Sequence, residues 1–275
     1  MQSQTPQPEP QHDWRRYERQ ILIPEIGEQG QRALREASVF LTGLGGLGSI
    51  SAAYLVAAGI GRLRAVDRDR VEVHNLNRQL LHWTCDEGRV KASSAEEKLK
   101  ALNPDVSLDL IEATLDDGNA ADLIGDCQVI VDGTDNLATR KVLNRIAVSK
   151  GIPYVFAGVE SFRGMITTFA PPATPCLECV VPADEERKGT LPILGAVPGI
   201  AASIQALETL KIILGLGSSL IGRMLVFDGK SMSFKTLPLE ADPRCVVCGA
   251  GGESESESGP GGAGGGCASG NDKAS

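Results

Sequence analysis

The sequence predicts an α/β protein built on a doubly wound sheet, parallel in its first half and mixed or antiparallel in its second. Three observations predict it. Short apolar runs alternate with helical patterns from residue 38 to residue 158, which gives a parallel sheet with helices on both faces. The first run ends on "TGLGGLGS", residues 42–49, a glycine turn between strand and helix. After Gly158 the texture changes to runs that read as strands able to pair antiparallel.

Each element follows from its own pattern. "SVFLTG" (38–43) reads as a buried strand, and Leu47, Ile50, Tyr54 and Leu55 then recur at helical spacing among small alanines. "RLRAVD" (62–67) is a second strand. "VKASSAEEKLKALNP" (90–104) is a helix with Ala95, Leu99 and Leu102 on one face and Asn103-Pro104 as its stop. A strand at "VSLDLIEA", a helix near 119–125, a strand at "CQVIVDG", a helix from about 136 to 150 and a strand at "IPYVFAG" complete this half. Beyond it "GMITTFA", "GRMLVFDG" and "SMSFKTLPL" are strands. Ile200, Ile204, Leu207, Leu210 and Leu214 mark one strong helix between them.

Composition bounds the rest. Residues 1–13, rich in Gln and Pro, read as a disordered lead-in, and residues 249–275 as a flexible Gly/Ser tail. Residues 14–248 form one folded unit, with 14–158 as its nucleotide-binding half and 159–248 as its second half. A net charge of −8 argues against a nucleic-acid binder. "KIILGLG" is far too short to span a bilayer, so no membrane role is expected. The N-terminus lacks a basic stretch and an apolar stretch, so a cytoplasmic location is expected.

Gly43, Gly45 and Gly48 fit the Rossmann-like pattern G-x-G-x-x-G in its proper context. The first permits a tight turn, the second lets phosphate approach the backbone, and the third lets helix and strand pack closely. Asp67 ends the second strand 19 residues after Gly48, placed to accept hydrogen bonds from ribose hydroxyls. The loop "DRDRVEVHNLNRQLLH" carries Asp69, Asn75, Arg78 and Gln79, and Lys91 opens the next helix. Arg78 and Lys91 suit a triphosphate, whose charge exceeds what backbone dipoles neutralise. "DGTDN" puts Asp132 and Asp135 at the carboxyl edge of the sheet. A carboxylate there can hold Mg2+, though a lone Asp135 could equally cap the helix starting near Asn136.

Seven cysteines in such a chain point to metal or redox chemistry. Cys176-Cys179 and Cys245-Cys248 form two Cys-x-x-Cys pairs with 65 residues between them. Each pair can supply half of a tetrahedral thiolate site for structural Zn2+. A thioredoxin-like redox pair is the rival, but two pairs near Pro175 and Pro243 favour zinc.

"RYERQ", "GLGGLGS", "DRDRVEVHNLNRQLLH", Lys91 and "DGTDN", in that order, resemble the MoeB/ThiF/HesA family, relatives of the ubiquitin-activating enzymes. The similarity runs from about Arg16 to Gly249. It implies a homodimer that uses ATP to adenylate the C-terminal glycine of a small ubiquitin-like sulfur-carrier protein of the MoaD/ThiS type. Carried over by motif, Gly43, Gly45, Gly46 and Gly48 would cradle the nucleotide, with Gln79 and Asn136 beside it. Asp67 would hold the ribose, Asn75, Arg78 and Lys91 the phosphates, and Asp135 the Mg2+. Arg19 would reach into the partner subunit's site. The family also places its zinc at Cys176, Cys179, Cys245 and Cys248.

Those residue types suit the chemistry. A carboxylate is already ionised at neutral pH and needs no base to attack phosphorus. Relatives often carry a cysteine between the first zinc pair and the long helix. "VPADEERKGTLPILGAVPG" (181–199) has none, and its charged stretch 183–190 suits a mobile segment crossing over the carrier's tail. Adenylation alone is therefore expected, with sulfur delivered by a separate sulfurtransferase or cysteine desulfurase. Cys127 reads as core, Cys85 as exposed near the nucleotide loop, and Cys267 lies in the tail. The alternatives are a peptide or tRNA-base acceptor, or an NAD-dependent oxidoreductase.

Overall fold

Strand alternation decides which helices lie on which face. The structure, a computed structural model, describes residues 14–181, 191–217 and 220–249. Its sheet runs through β1 (Ser38–Thr42), β2 (Arg62–Val66), β3 (Ser107–Ile111), β4 (Val129–Asp132), β5 (Tyr154–Glu160), β6 (Arg163–Phe169), β7 (Arg223–Asp228) and β8 (Ser233–Pro238). The spatial order is β3-β2-β1-β4-β5-β6-β7-β8. The first five strands are parallel and β6 to β8 are antiparallel, as the sequence predicts.

The helices are α1 (Glu18–Ile21), α2 (Gly27–Glu36), α3 (Gly48–Ala58), α4 (Lys91–Leu102), α5 (Ala120–Ile124), α6 (Leu137–Lys150), α7 (Leu177–Val180) and α8 (Ala196–Ile213). Val39 and Leu41 of β1 point into one core with Leu55 of α3, Leu99 of α4 and Ala206 of α8. Phe40, between them in sequence, points the opposite way, to Ile124 of α5, Leu143 of α6 and Leu177 of α7. The period of two along the strand thus builds both layers.

Two readings are corrected. Leu102 does not share the buried face of Ala95 and Leu99: it is 41% exposed, and Ala92 completes that face. The sequence reading also found no apolar run near membrane-spanning length, yet α8 has 18 residues and a mean hydropathy of 1.3. It is a core helix: Ala201, Ala202 and Ala206 are buried, and Gln205 donates to the main chain of Asp132 and Val155.

Sequential crossovers place β2 on one side of β1 and β4 on the other, so the direction in which strands are added to the sheet reverses between β1 and β4. Thr42 and Asp132 are register partners at that edge. A crevice forms at such a reversal, outside the carboxyl ends of the strands.

Candidate functional site

The glycine turn sits at this crevice, and backbone contact explains its composition. Gly43 has φ +77, and a Cβ on Gly48 would lie 1.8 Å from the Gly43 carbonyl oxygen, so no larger residue fits. Gly133, after β4, presses on the same point, with its Cβ position 2.7 Å from the Gly43 oxygen. Sequence reading missed Gly133 as part of the turn. Leu44 N–H donates to Asp67 Oδ2 at 2.7 Å, and Ser49 N–H to the Gly45 carbonyl. The N–H groups of Gly45, Gly46 and Leu47 have no partner among the described residues. They form a cradle at the start of α3, where the helix dipole favours an anion.

Polar side chains gather at that cradle. Arg78 Cγ stands 3.4 Å from the Cβ position of Gly46, and Gln79 Nε2 3.5 Å from that of Gly45. Gln79 Oε1 is buried and has no hydrogen-bond partner among the described residues. An unpaired buried acceptor is costly, and a ligand donor at this spot would satisfy it. Among the described residues the guanidinium of Arg78 bonds only nearby, to the His74 carbonyl and Asn77. Asn75, 6% exposed, accepts from Glu72 N–H and, through its carbonyl, from Arg78 and Gln79 N–H. It shapes the turn that aims Arg78 and Gln79.

Asp67 accepts from Asp69 N–H as well as Leu44 N–H, which keeps its carboxylate beside the turn. Lys91 opens α4, as predicted, and its Nζ lies 2.9 Å from Asp69 Oδ2. Lys91 is thus linked to the Asp67 end of the crevice through Asp69.

The "DGTDN" turn is stiffened from beneath. Asp132 is fully buried, accepting from Thr134 N–H, from Tyr154 Oη–H at 2.8 Å and from Arg140 Nε at 3.1 Å. Burial pushes the Asp132 carboxyl up, against the pull of Arg140 and Tyr154. Arg140 also donates to the carbonyls of Thr134 and Ala157 and lies 4.8 Å over the Phe156 ring. Asp132 therefore serves the loop, while Asp135 stands exposed at its tip, two residues past Gly133. Asp135 does not cap α6: Asn136 does, accepting from Thr139 N–H at 2.8 Å.

Arg19 lies elsewhere within its own chain. Next to it, Gln20 donates to the Ala58 carbonyl at the far end of α3. From Gly48 to Ala58 the helix rises by ten residue steps, about 15 Å. One subunit alone does not bring Arg19 to its own crevice.

The four cysteines of the two pairs converge as expected, with all sulfurs within 4.8 Å of one another. Cys176 and Cys245 sulfurs are 3.6 Å apart, and those of Cys179 and Cys248 3.4 Å apart. Tetrahedral thiolates on zinc lie about 3.8 Å apart, so four cysteines with no open position fit a structural ion. Burial pushes the Cys176 and Cys248 thiols up. Burial opposes ionisation of Cys245 too, but N–H groups of Cys248 and Val247 hold it at about 7. Asn144 of α6 donates to Cys176 Sγ at 3.4 Å and accepts from Leu177 N–H, a support that spacing alone did not reveal. Cys127 is buried and Cys85 exposed, as predicted. Cys267 and the charged stretch 183–190 lie outside the described residues.

Comparison with known proteins agrees with this geometry. The ThiF family model matches residues 17–247. The SAMP-activating enzyme E1 of Haloferax volcanii is 41% identical over 243 residues, covering 86% of this chain and 89% of that protein. The sulfur carrier protein adenylyltransferase of Thermus thermophilus is 40% identical over 245 residues, covering 85% and 90%. Among solved structures, E. coli MccB with MccA-N7isoASN shares the fold at a TM-score of 0.78 and 23% identity, covering 87% of this chain and 76% of that one. The oxidoreductase alternative is set aside: this chain belongs to the ThiF family and is an adenylyltransferase.

Proposed function

We propose that this chain adenylates the C-terminal glycine of a small ubiquitin-like sulfur carrier ending in Gly-Gly, using ATP and Mg2+. One observation carries the reading. Unpartnered N–H groups of Gly45 to Leu47 meet Arg78 and the orphaned Gln79 acceptor at the sheet's reversal point. The N–H groups and Arg78 suit a polyphosphate, the Gln79 oxygen suits a hydroxyl or amine donor of the nucleoside, and the names of the Haloferax and Thermus relatives suit this acceptor.

The step is an in-line displacement. A carboxylate oxygen of the carrier forms a bond to the α-phosphorus, the bond to the bridging oxygen breaks, and pyrophosphate leaves with the electron pair. Arg78, Lys91 and the turn's N–H groups neutralise the charge that develops on phosphate oxygens. Asp67 holds the ribose, with Asn75 and Asn136 shaping the flanking turns. Asp135 would hold Mg2+, which would supply positive charge against the phosphates. Cys176, Cys179, Cys245 and Cys248 would hold Zn2+, which would clip the chain after β8 to α7 without entering the reaction.

The working unit is a homodimer in which Arg19 completes the partner's site. A groove of about 540 Å³ along α3 and α8, lined by Ile50, Tyr54, Ile200 and Ile204, supports it. Tyr54 and Leu207 are each more than half exposed on these two helices. Sulfur comes from a separate protein, since 181–199 holds no cysteine.

Exchange of labelled pyrophosphate into ATP tests the reading. Exchange is expected only when Mg2+ and a carrier ending in Gly-Gly are both present. Exchange driven instead by a short peptide or tRNA would change the acceptor. No exchange with any carrier would overturn the proposal.

A further inference from the structure

Leu44 lies between two glycines, and its peptide link to Gly45 is held from below by side chains distant in sequence. The Leu44 carbonyl accepts from Ser49 Oγ at 2.8 Å and from His82 Nε2 at 3.0 Å. His82 is 3% exposed. Its Nδ1 lies 2.9 Å from Ser94 Oγ on α4. Ser94 Oγ in turn accepts from Lys98 Nζ at 3.2 Å, and Lys98 is anchored on buried Asp86 at 2.6 Å and lies 5.0 Å over the Trp83 ring.

This chain of bonds fixes the tautomer. A carbonyl only accepts, so His82 carries its proton on Nε2. Ser94 receives from Lys98 and is left to donate to Nδ1. Burial lowers the His82 pKa more than the Leu44 carbonyl raises it, and Lys91 adds to the lowering, which favours the neutral imidazole.

A planar trans peptide points its C=O and N–H in opposite directions. Holding the Leu44 oxygen against His82 and Ser49 therefore turns Gly45 N–H away from them. Glycine at 45 accepts either sign of φ, so without those bonds the peptide can flip at little cost. We propose that His82, together with Ser49, is a positioning residue that locks the Leu44–Gly45 peptide so that Gly45 N–H is presented to the nucleotide phosphates. The proposal rests on the nucleotide reading above. It assigns a task to His82, Ser94 and Lys98 that neither the glycine pattern nor the charged loop contains.

The test compares Mg-ATP with adenosine, which has the same base and sugar but no phosphate, by calorimetric titration of the full chain. H82N keeps a group near Nδ1 and loses the donor to Leu44. It is expected to weaken Mg-ATP about tenfold while adenosine changes by less than about twofold. H82Q, whose amide nitrogen reaches about as far as Nε2, is expected to restore Mg-ATP affinity to within about threefold. S49A removes the second donor from another element and is expected to cost Mg-ATP about threefold, again sparing adenosine; it carries the test if H82N fails to fold. Equal losses for both ligands, or no loss for either, in H82N and S49A would overturn the lock. A wild-type chain that binds no Mg-ATP would instead bring down the nucleotide reading, and the lock with it.

Discussion

The parallel and antiparallel halves of the sheet solve the problem of order differently. Around β1, β2 and β4 both faces are covered, and glycines bring backbone against backbone at Gly43, Gly48 and Gly133. Buried polar groups there are locked in chains, such as His82–Ser94–Lys98–Asp86. Around β6 to β8 one face packs on α8 through Ile166 and Phe227, while Met165 and Leu237 on the other face remain 42–50% exposed. The end of that half is held by four sulfurs rather than by apolar burial. A site that must aim N–H groups at an anion needs rigid backbone. A surface free to meet a partner can do with less cover, provided its end is clipped.

Four perturbations break or sharpen this contrast. The largest is loss of the proposed zinc. Zinc held by four thiolates contributes apparent binding on the order of 10 kcal/mol. Chelation or Cys248→Ser is expected to release zinc stoichiometrically and raise hydrogen exchange in β7 and β8, while Mg-ATP binding in the parallel half persists. Loss of both together would erase the distinction between the halves.

Next comes the buried pair under the nucleotide loop. Asp86→Asn leaves Lys98 without its anion and is expected to cost about 4 kcal/mol in denaturant unfolding. The pair also gives a pH signature. Against burial, which raises it, the Lys98 ammonium and Trp83 N–H hold the Asp86 carboxyl at about 2, below its ordinary 3.8. Its stabilisation is therefore fully present above 3.8 and lost as pH falls through about 2. Asp86→Asn should flatten the acid limb of the stability curve.

Arg78→Ala is expected to lower pyrophosphate exchange by about 3 kcal/mol of transition-state stabilisation. The melting temperature should barely move, because its guanidinium bonds only to its own turn. A matching loss of stability would make Arg78 structural. The smallest effect belongs to the open face. Leu237→Asp should change stability by less than about 0.5 kcal/mol and raise the KM for the carrier; an unchanged KM would move the docking surface elsewhere.

The strands and main helices were legible because apolar period and breaker residues are local. The glycine turn was legible for the same reason: Gly43 answers a positive φ and Gly48 a clash with the Gly43 carbonyl five residues before it. The loop with Arg78 and Gln79 could be placed at the carboxyl edge, and both side chains do stand against Gly45 and Gly46. Asp135 and Asn136 were read less well, since an acid and an amide at a helix start compete for one cap and only geometry shows that Asn136 takes it. Leu102 was misplaced because helical spacing does not say how wide a face its neighbours cover.

By itself, the sequence determined the alternation of strands and helices, the glycine turn between β1 and α3, and four cysteines in pairs suited to one ion. These rest on sterics and periodicity within a few residues. Only the tertiary structure decided that His82 holds a carbonyl 38 positions away, that Tyr154 and Arg140 share Asp132, and that Asn144 supports Cys176. The reason is physical: a single buried polar side chain has no period, and its partner is chosen by the path of the chain between them.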